Sequence, residues 1–376
     1  MSDIIYRFCA KNGIFCRAKA YKTKMKFVKL TLLIVGTVIG AGFVSGAELV
    51  RFFPGQSFAF AVICSSAAFF AMSAFFLTAG KKHGGYRGTV DALFGRGAPA
   101  VFALCAAACF IPSAAMLAGL DALYPAAAPW LSLGGMAIVV CFLSRGMKGI
   151  SALNALLVPV IIAFVLFAGA GGSGQIAASA RPAARGGWLI YAGMNALLAA
   201  PVLTEAGKDA DRPVAAAAAA AAIVGICAAC ILLRIGREGE SARSAEMPFL
   251  YAMRGNALFF PVCALAILTS LGSSLYPLFS SVPFCGKKAS AAKGGILLAA
   301  FALSRLGLGG IVRWLYPVLG TGGLCLSALG VFYERLFQKH DEKIHSRRKQ
   351  AENTGRAHHE VKLEHLTSVD DEITQP

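Results

Sequence analysis

Long apolar runs separated by short polar breaks recur along the chain from Phe27 almost to Phe337. Each is close to the ~20 residues that carry a helix across a ~30 Å hydrocarbon core. The pattern predicts ten spanning helices, at about 28–53, 57–80, 98–123, 128–144, 150–171, 187–207, 213–235, 256–283, 294–310 and 312–334. With 57% hydrophobic and 15% charged residues, a water-soluble domain is excluded and an all-α membrane protein is expected. Flanking this 28–334 transmembrane domain are a basic leader, 1–27, and a polar tail, 335–376, whose mixed charges and few aromatics give it no core to bury.

Charge placement sets the expected orientation. Lys81, Lys82, Lys148, Lys208, Lys287 and Lys288 fall on the same side as the basic leader, while the opposite segments hold fewer cations, among them Arg181, Arg254 and Arg313. Retention of Lys and Arg on the cytoplasmic side then puts both termini in the cytoplasm, the domain lying in the cytoplasmic (inner) membrane. The net charge of +17 does not argue for nucleic acid, because the cations are scattered through loops and tails and form no basic face with interleaved aromatics. The leader lacks a small-residue cleavage site and reads as retained, resting on anionic lipid. Eleven cysteines lie mostly inside apolar runs as small hydrophobes, and the Cys227–Cys230 pair has no second ligand pair nearby to make a metal site. His340, His345, His358, His359 and His365 sit in the polar tail, where solvation accounts for them.

The candidate chemistry begins at "GTVIGAGFVSGAEL", Gly36 to Leu49. Gly36 and Gly40 are four apart, as are Gly42 and Gly46, which fits close helix–helix packing. A second reading interrupts the helix near Ile39 to Gly42, aiming freed amides at an anion and freed carbonyls at a cation. Gly40 and Gly42 point to opposite faces, and Ser45 and Glu48 follow in the second half, where a carboxylate is costly without a cavity or partner. A counterpart is expected at "WLIYAGMNALLAAPVLTEAG", Trp188 to Gly207, with Tyr191, Gly193 and Asn195 in mid-helix and Pro201 removing a donor. In the eighth span Ala266, Thr269 and Ser270 present a carbonyl and two hydroxyls within one turn, hard ligands of the kind an alkali cation takes; hydroxyls bonded one turn back are the plainer account. Arg305 either snorkels or pairs with Glu48 or Asp121, and Glu48 and Arg305 are the coupling or gating candidates. Asn154 and Pro159 in the fifth span shape a gate or simply pack.

"GTVIGAGFVSGAEL" resembles the first-span signature of the YkvI-like membrane proteins, within the amino acid-polyamine-cation superfamily of leucine-transporter fold, and "YAGMN" and "LYPVLG" are similar to further stretches of it. The resemblance implies two inverted five-helix repeats, about 28–171 and 187–334, with helices one and six broken. It implies a sodium ion held by the carbonyls of Gly36, Ile39 and Ala266 and the hydroxyls of Thr269 and Ser270. Substrate would meet Gly40, Ala41, Gly42 and Ser45, with Tyr191 and Asn195 across the cleft and Ser113 from the third span. Thr37 and Phe43 stand where sodium-coupled neurotransmitter-type members carry asparagines, so a second sodium site is not implied.

The function expected is sodium-coupled alternating-access transport of a small organic solute, an amino acid or related zwitterion. A proton carried on Glu48 is the alternative coupling, and a non-transporting ligand sensor relaying through the tail is the alternative class. An enzyme is not expected: no nucleophile, base and orienting group recur together, and the glycines at 36, 40, 42 and 46 do not make G-x-G-x-x-G. Sodium apart, no cofactor is called for, and the partners are the solute and the bilayer.

Overall fold

The computed structural model describes residues 14–53, 58–170, 186–245, 247–253, 256–282 and 286–335. All regular elements among them are helical. In hydrocarbon a helix satisfies its own backbone N–H and C=O groups, which leaves a run apolar on all sides little alternative. The first span is divided into α1 (Ile14–Val38), α2 (Ala41–Val44) and α3 (Ala47–Phe52). There follow α4 (Phe58–His83), α5 (Tyr86–Phe94), α6 (Ala98–Leu123), α7 (Trp130–Leu143), α8 (Met147–Ala170), α9 (Gly187–Gly207) and α10 (Pro213–Arg237). The short α11 (Glu240–Ser244) and α12 (Pro248–Ala252) lead to α13 (Phe259–Ser280), α14 (Gly286–Ser304) and α15 (Leu308–Arg335). The chain divides into a unit ending at Ser327 and a second, Ala328–Pro376, described as far as the end of α15.

Seven of the described helices are long and apolar enough to cross a membrane. The expectation of ten counts three more: the divided first span, the 14-residue α7 and α14, which opens on Lys287, Lys288 and Lys293. The basic leader is helical from Ile14, so α1 begins well before the apolar run does. The boundary between the last two spans lies at Arg305–Gly307, earlier than expected, because Gly307 (φ +78°) takes the left-handed conformation that ends α14. The expected sensor relay, the tail histidines and the linker 171–185 between the expected repeats lie outside the described residues.

Helix six is not broken. α9 runs without interruption from Gly187 to Gly207 with Pro201 inside it. Its polar side chains bond back to their own helix, Asn195 Nδ2 donating to the Tyr191 carbonyl at 3.0 Å and Thr204 Oγ1 to that of Ala200 at 2.7 Å. Its glycines serve a different purpose. A Cβ on Gly80 of α4 would stand 2.0 Å from the Thr204 carbonyl oxygen, and one on Gly207 would stand 2.3 Å from that of Leu77. Towards the other end a Cβ on Gly323 of α15 would stand 1.9 Å from the Gly193 carbonyl oxygen. Backbone thus meets backbone on α4 at one end of α9 and on α15 at the other, the close approach that small residues permit between membrane helices.

The helices around α9 reinforce this. The alanine-rich start of α10 buries Ala216, Ala217, Ala220 and Ala221, and α10 lies against α4, where a Cβ on Gly225 would meet Ser66 Oγ at 2.4 Å. Between α4 and α6, α5 buries Thr89, Val90 and Leu93, and its first N–H, from Tyr86, donates to Glu205 Oε2 of α9 at 3.1 Å. Glu205 thereby caps α5, and its other oxygen pairs with Lys208. Cys227 is buried and Cys230 half-buried, both unbonded thiols packed as small hydrophobes.

Gly80→Ala and Gly323→Ala each force a methyl into a backbone carbonyl, an overpacking cost of about 1–3 kcal/mol. Each is expected to lower the thermal midpoint of purified protein by several degrees. Gly294→Ala on α14, where nothing lies within 4 Å, serves as the control and leaves the midpoint unchanged or raises it.

Candidate functional site

The candidate site is the interruption of the first span. α1 ends at Val38, and the Gly40 N–H turns back to the Val38 carbonyl at 2.9 Å, a bond too tight for a helix. One turn of α2 follows, and the chain then breaks again at Ser45–Gly46, where Gly46 is left-handed (φ +79°). An L-residue there would be strained, and a Cβ would stand 2.5 Å from Ile235 Cδ1 of α10. The expected break near Ile39 to Gly42 therefore lies where the helix stops, and a further one follows it.

Neighbouring helices occupy the space the glycines vacate. A Cβ on Gly36 would stand 1.7 Å from Asn154 Oδ1 of α8, and one on Gly40 would stand 2.7 Å from Ser270 Oγ of α13 and 3.0 Å from Met116 Cε of α6. A Cβ on Gly42 would stand 1.9 Å from Glu48 Oε1, so the Glu48 carboxyl is folded over the one residue whose missing side chain makes room for it. One segment thus combines two features: the glycines permit close approach, and the helix is interrupted.

The expected cation ligands are partly gathered. Ser270 Oγ donates to the Gly36 carbonyl at 3.3 Å, joining α13 to the end of α1 across 234 residues. Thr269 Oγ1 donates to the Ala266 carbonyl at 2.8 Å, and all of Gly36's partners in this patch, with Ile39, are buried. Asn154 belongs with them. Its amide donates to the Ile150 carbonyl at 3.0 Å, but its Oδ1, against Gly36, is buried and accepts no hydrogen bond. An acceptor left so costs roughly 1–3 kcal/mol, unless something positive completes it. The sequence showed an asparagine in a span, which a gate or plain packing explained equally well; that it faces Gly36 needed the fold.

Of the expected substrate residues, two share a hollow. Tyr191 and Asn195 line a hollow of about 20 Å³, room for a single water, completed by Val38, Phe53, Ser65 and Phe69. Gly40, Gly42, Ser45 and Ser113 do not line it. Ser113 Oγ donates one turn back to the Cys109 carbonyl at 2.8 Å, and Ser45 Oγ to the Gly42 carbonyl at 3.2 Å, so both hydroxyls are spent within their own segments. The Tyr191 ring packs edge-on against Phe53 at 5.0 Å. Ala41 sits at the start of α2.

At the end of the bundle where α1 begins lies a larger hollow of about 480 Å³, lined by Lys26, Leu33, Lys148, Asp209, Asp211 and Arg212 among others. Lys26 and Asp211 face each other there at 3.9 Å, both about half exposed. At the opposite end α12 closes over the break: the Phe249 N–H donates to the Ser45 carbonyl at 2.7 Å, and Phe249 itself is fully buried against Phe259. Arg305 is not a partner of Glu48. It pairs with Asp121 Oδ2 at the end of α6 and lies over the Phe301 ring at 4.5 Å, because the early turn at Arg305–Gly307 carries it to that end. Asp121 is mostly enclosed, its Oδ1 buried without a hydrogen bond.

No model of a known protein family matches the chain. It is 25% identical over 319 residues to the uncharacterized membrane protein YkvI of Bacillus subtilis strain 168, covering 78% of this chain and 91% of that one. Among solved structures it is similar to Mhp1, a nucleobase-cation-symport-1 family transporter in a closed conformation with bromovinylhydantoin bound, at 14% identity and a TM-score of 0.37, covering 82% of this chain and 74% of that one. With its apolar helices and its similarity to a membrane protein along most of its length, the chain is a multi-pass membrane protein.

Proposed function

We propose that the chain is a secondary transporter that carries a small organic solute, an amino acid or related zwitterion, by sodium-coupled alternating access. The observation that carries this reading is the interruption at Ile39–Gly40 with Ser270 of α13 bonded to the Gly36 carbonyl. A helix broken inside the membrane is tolerated where it lines a cavity or a bound ion, and it supplies both carbonyl oxygens and a hinge. In the proposed ion-bound state the Ser270 and Thr269 hydroxyls turn their oxygens, with the carbonyls of Gly36, Ile39 and Ala266, onto sodium, and Asn154 Oδ1 adds a donor from α8. Neutral hard oxygens suit a monovalent ion.

Alternating access needs a closed side and an open one. The bond from Phe249 to Ser45 seals the end away from the chain's start, and the hollow beside Lys26 and Asp211 opens at the other. Under the expected orientation this is an inward-facing arrangement. Because α9 is continuous and fixed at both ends by glycine contacts, the movement falls to α1, α2 and α3 about the two breaks, a hinge of the kind that absorbs its change in a few residues. Proton coupling through the buried Glu48 is the second reading, favoured by the presence of that carboxyl in α3.

Thermal unfolding of the purified protein in sodium chloride against equal potassium chloride tests the ion site without knowledge of the solute, since an ion that binds only the folded state raises its stability. Sodium is expected to raise the midpoint, with Thr269→Ala and Ser270→Ala each weakening the half-saturating concentration at least tenfold. Equal midpoints in the two salts, unaltered by either variant, reject sodium. Asn154→Ala is expected to weaken sodium several-fold and Asn154→Asp to tighten it; no change in either removes Asn154 from the shell. Uptake of labelled amino acids into proteoliposomes, driven by a sodium gradient in one arm and by a pH gradient in the other, decides between the couplings.

A further inference from the structure

We infer that Glu48 is the group that recognises the solute, and that the solute meets it with a positively charged nitrogen. The inference rests on the solute-carrying reading above and names the solute's chemistry. Glu48 lies in α3 with 4% of its surface exposed, its carboxyl folded over Gly42 at the amides where an incoming carboxylate was expected. A second carboxyl group brought to those amides would stand beside the first. Two such groups in a dry site cannot both ionise, so the acidic position at this break is already filled by the chain itself.

No ion pair between described residues includes Glu48. Three arginines among the described residues are engaged elsewhere: Arg305 with Asp121, Arg234 of α10 with Glu238 at 3.0 Å, and Arg51 through its Nη2 with the Arg313 carbonyl at 2.7 Å. Two phenols neighbour Glu48. One turn on along α3, Phe52 packs its ring on that of Tyr191 of α9 at 5.7 Å, and Tyr191 and Tyr316 of α15 both lie within electrostatic reach of Glu48. Tyr191 is 4% exposed, and its hydroxyl, beside the Asn195 carboxamide, makes no hydrogen bond of sound geometry.

A buried carboxylate without a cation and a buried hydroxyl without a partner share one solution. A primary ammonium gives its charge and one hydrogen to Glu48 and another hydrogen to the Tyr191 oxygen, while the Phe53 and Tyr191 rings accept its flank. A zwitterion therefore enters amine-first at this half of the break, and its carboxylate, if it has one, points away from Gly42. A simple amine meets every contact that Glu48 and Tyr191 offer.

The test uses full-length protein in lipid nanodiscs and matched probes: phenylalanine, phenethylamine and 3-phenylpropanoate, with the corresponding series built on leucine and on alanine. Thermal midpoints are measured at pH 7. Amino acids or amines of at least one series are expected to stabilise the protein while the acids do not, with Glu48→Gln weakening the apparent affinity at least tenfold and Tyr191→Phe three- to tenfold. On the unmutated protein, modification of Glu48 by dicyclohexylcarbodiimide, read by mass spectrometry, is expected to be slowed by the same amines and not by the acids, which serves should Glu48→Gln fail to fold. The inference is overturned if acids stabilise as well as amines, if the amine effect survives Glu48→Gln, if no probe stabilises or protects, or if acidification alone reproduces the protection. Binding of amines without uptake in proteoliposomes sinks the transporter reading and leaves this one standing; uptake of acids indifferent to Glu48→Gln does the reverse.

Discussion

Everything in this fold answers to one constraint: in hydrocarbon a peptide group that leaves its helix must find a partner in the protein. The first span leaves its helix twice, and the partners arrive from distant parts of the chain. Ser270 reaches the Gly36 carbonyl, Phe249 reaches that of Ser45, and Gly40 closes a tight turn on Val38. Glycine at each crossing removes the side chain that would hold these partners off. The break is therefore a junction of α8, α12 and α13 as much as a gap in α1, and it exists because those helices complete it.

The same physics, applied to α9, produces the opposite result. Tyr191, Gly193, Asn195 and Pro201 have the composition of a broken helix, yet asparagine and threonine return their donors to carbonyls one turn back and the glycines become crossing points. Pro201 leaves the Leu197 carbonyl without its helical donor, yet α9 continues to Gly207, where the Thr204 hydroxyl bonds back to the carbonyls of Ala200 and Pro201. The continuous α9 is anchored at one end on α4 and at the other on α15, so it frames the interrupted first span and has no break of its own.

The spans were legible because apolar length is a local property, and so was the first break, since no helix former occupies Gly40 or Gly42. Sequence could not separate the two uses of intramembrane glycine, because whether Gly193 marks a joint or a contact depends on Gly323, 130 residues away. The hydroxyls of Thr269 and Ser270 could be singled out from spacing alone, whereas Asn154 could not, its position being fixed against Gly36 of another helix. Nor could the sequence show that the Ser45 and Ser113 hydroxyls bond within their own segments, since a hydroxyl's direction is not written in its position. Phe249 gave no signal, since the contact it makes is through its backbone.

That backbone contact has an evolutionary side. The seal over the break is an amide of α12 given to a carbonyl of the first span, and any residue but proline at position 249 can supply it. Side chains around it can change without touching this bond, so the closure outlasts substitutions that would break a side-chain contact, like a door whose bolt is part of the frame.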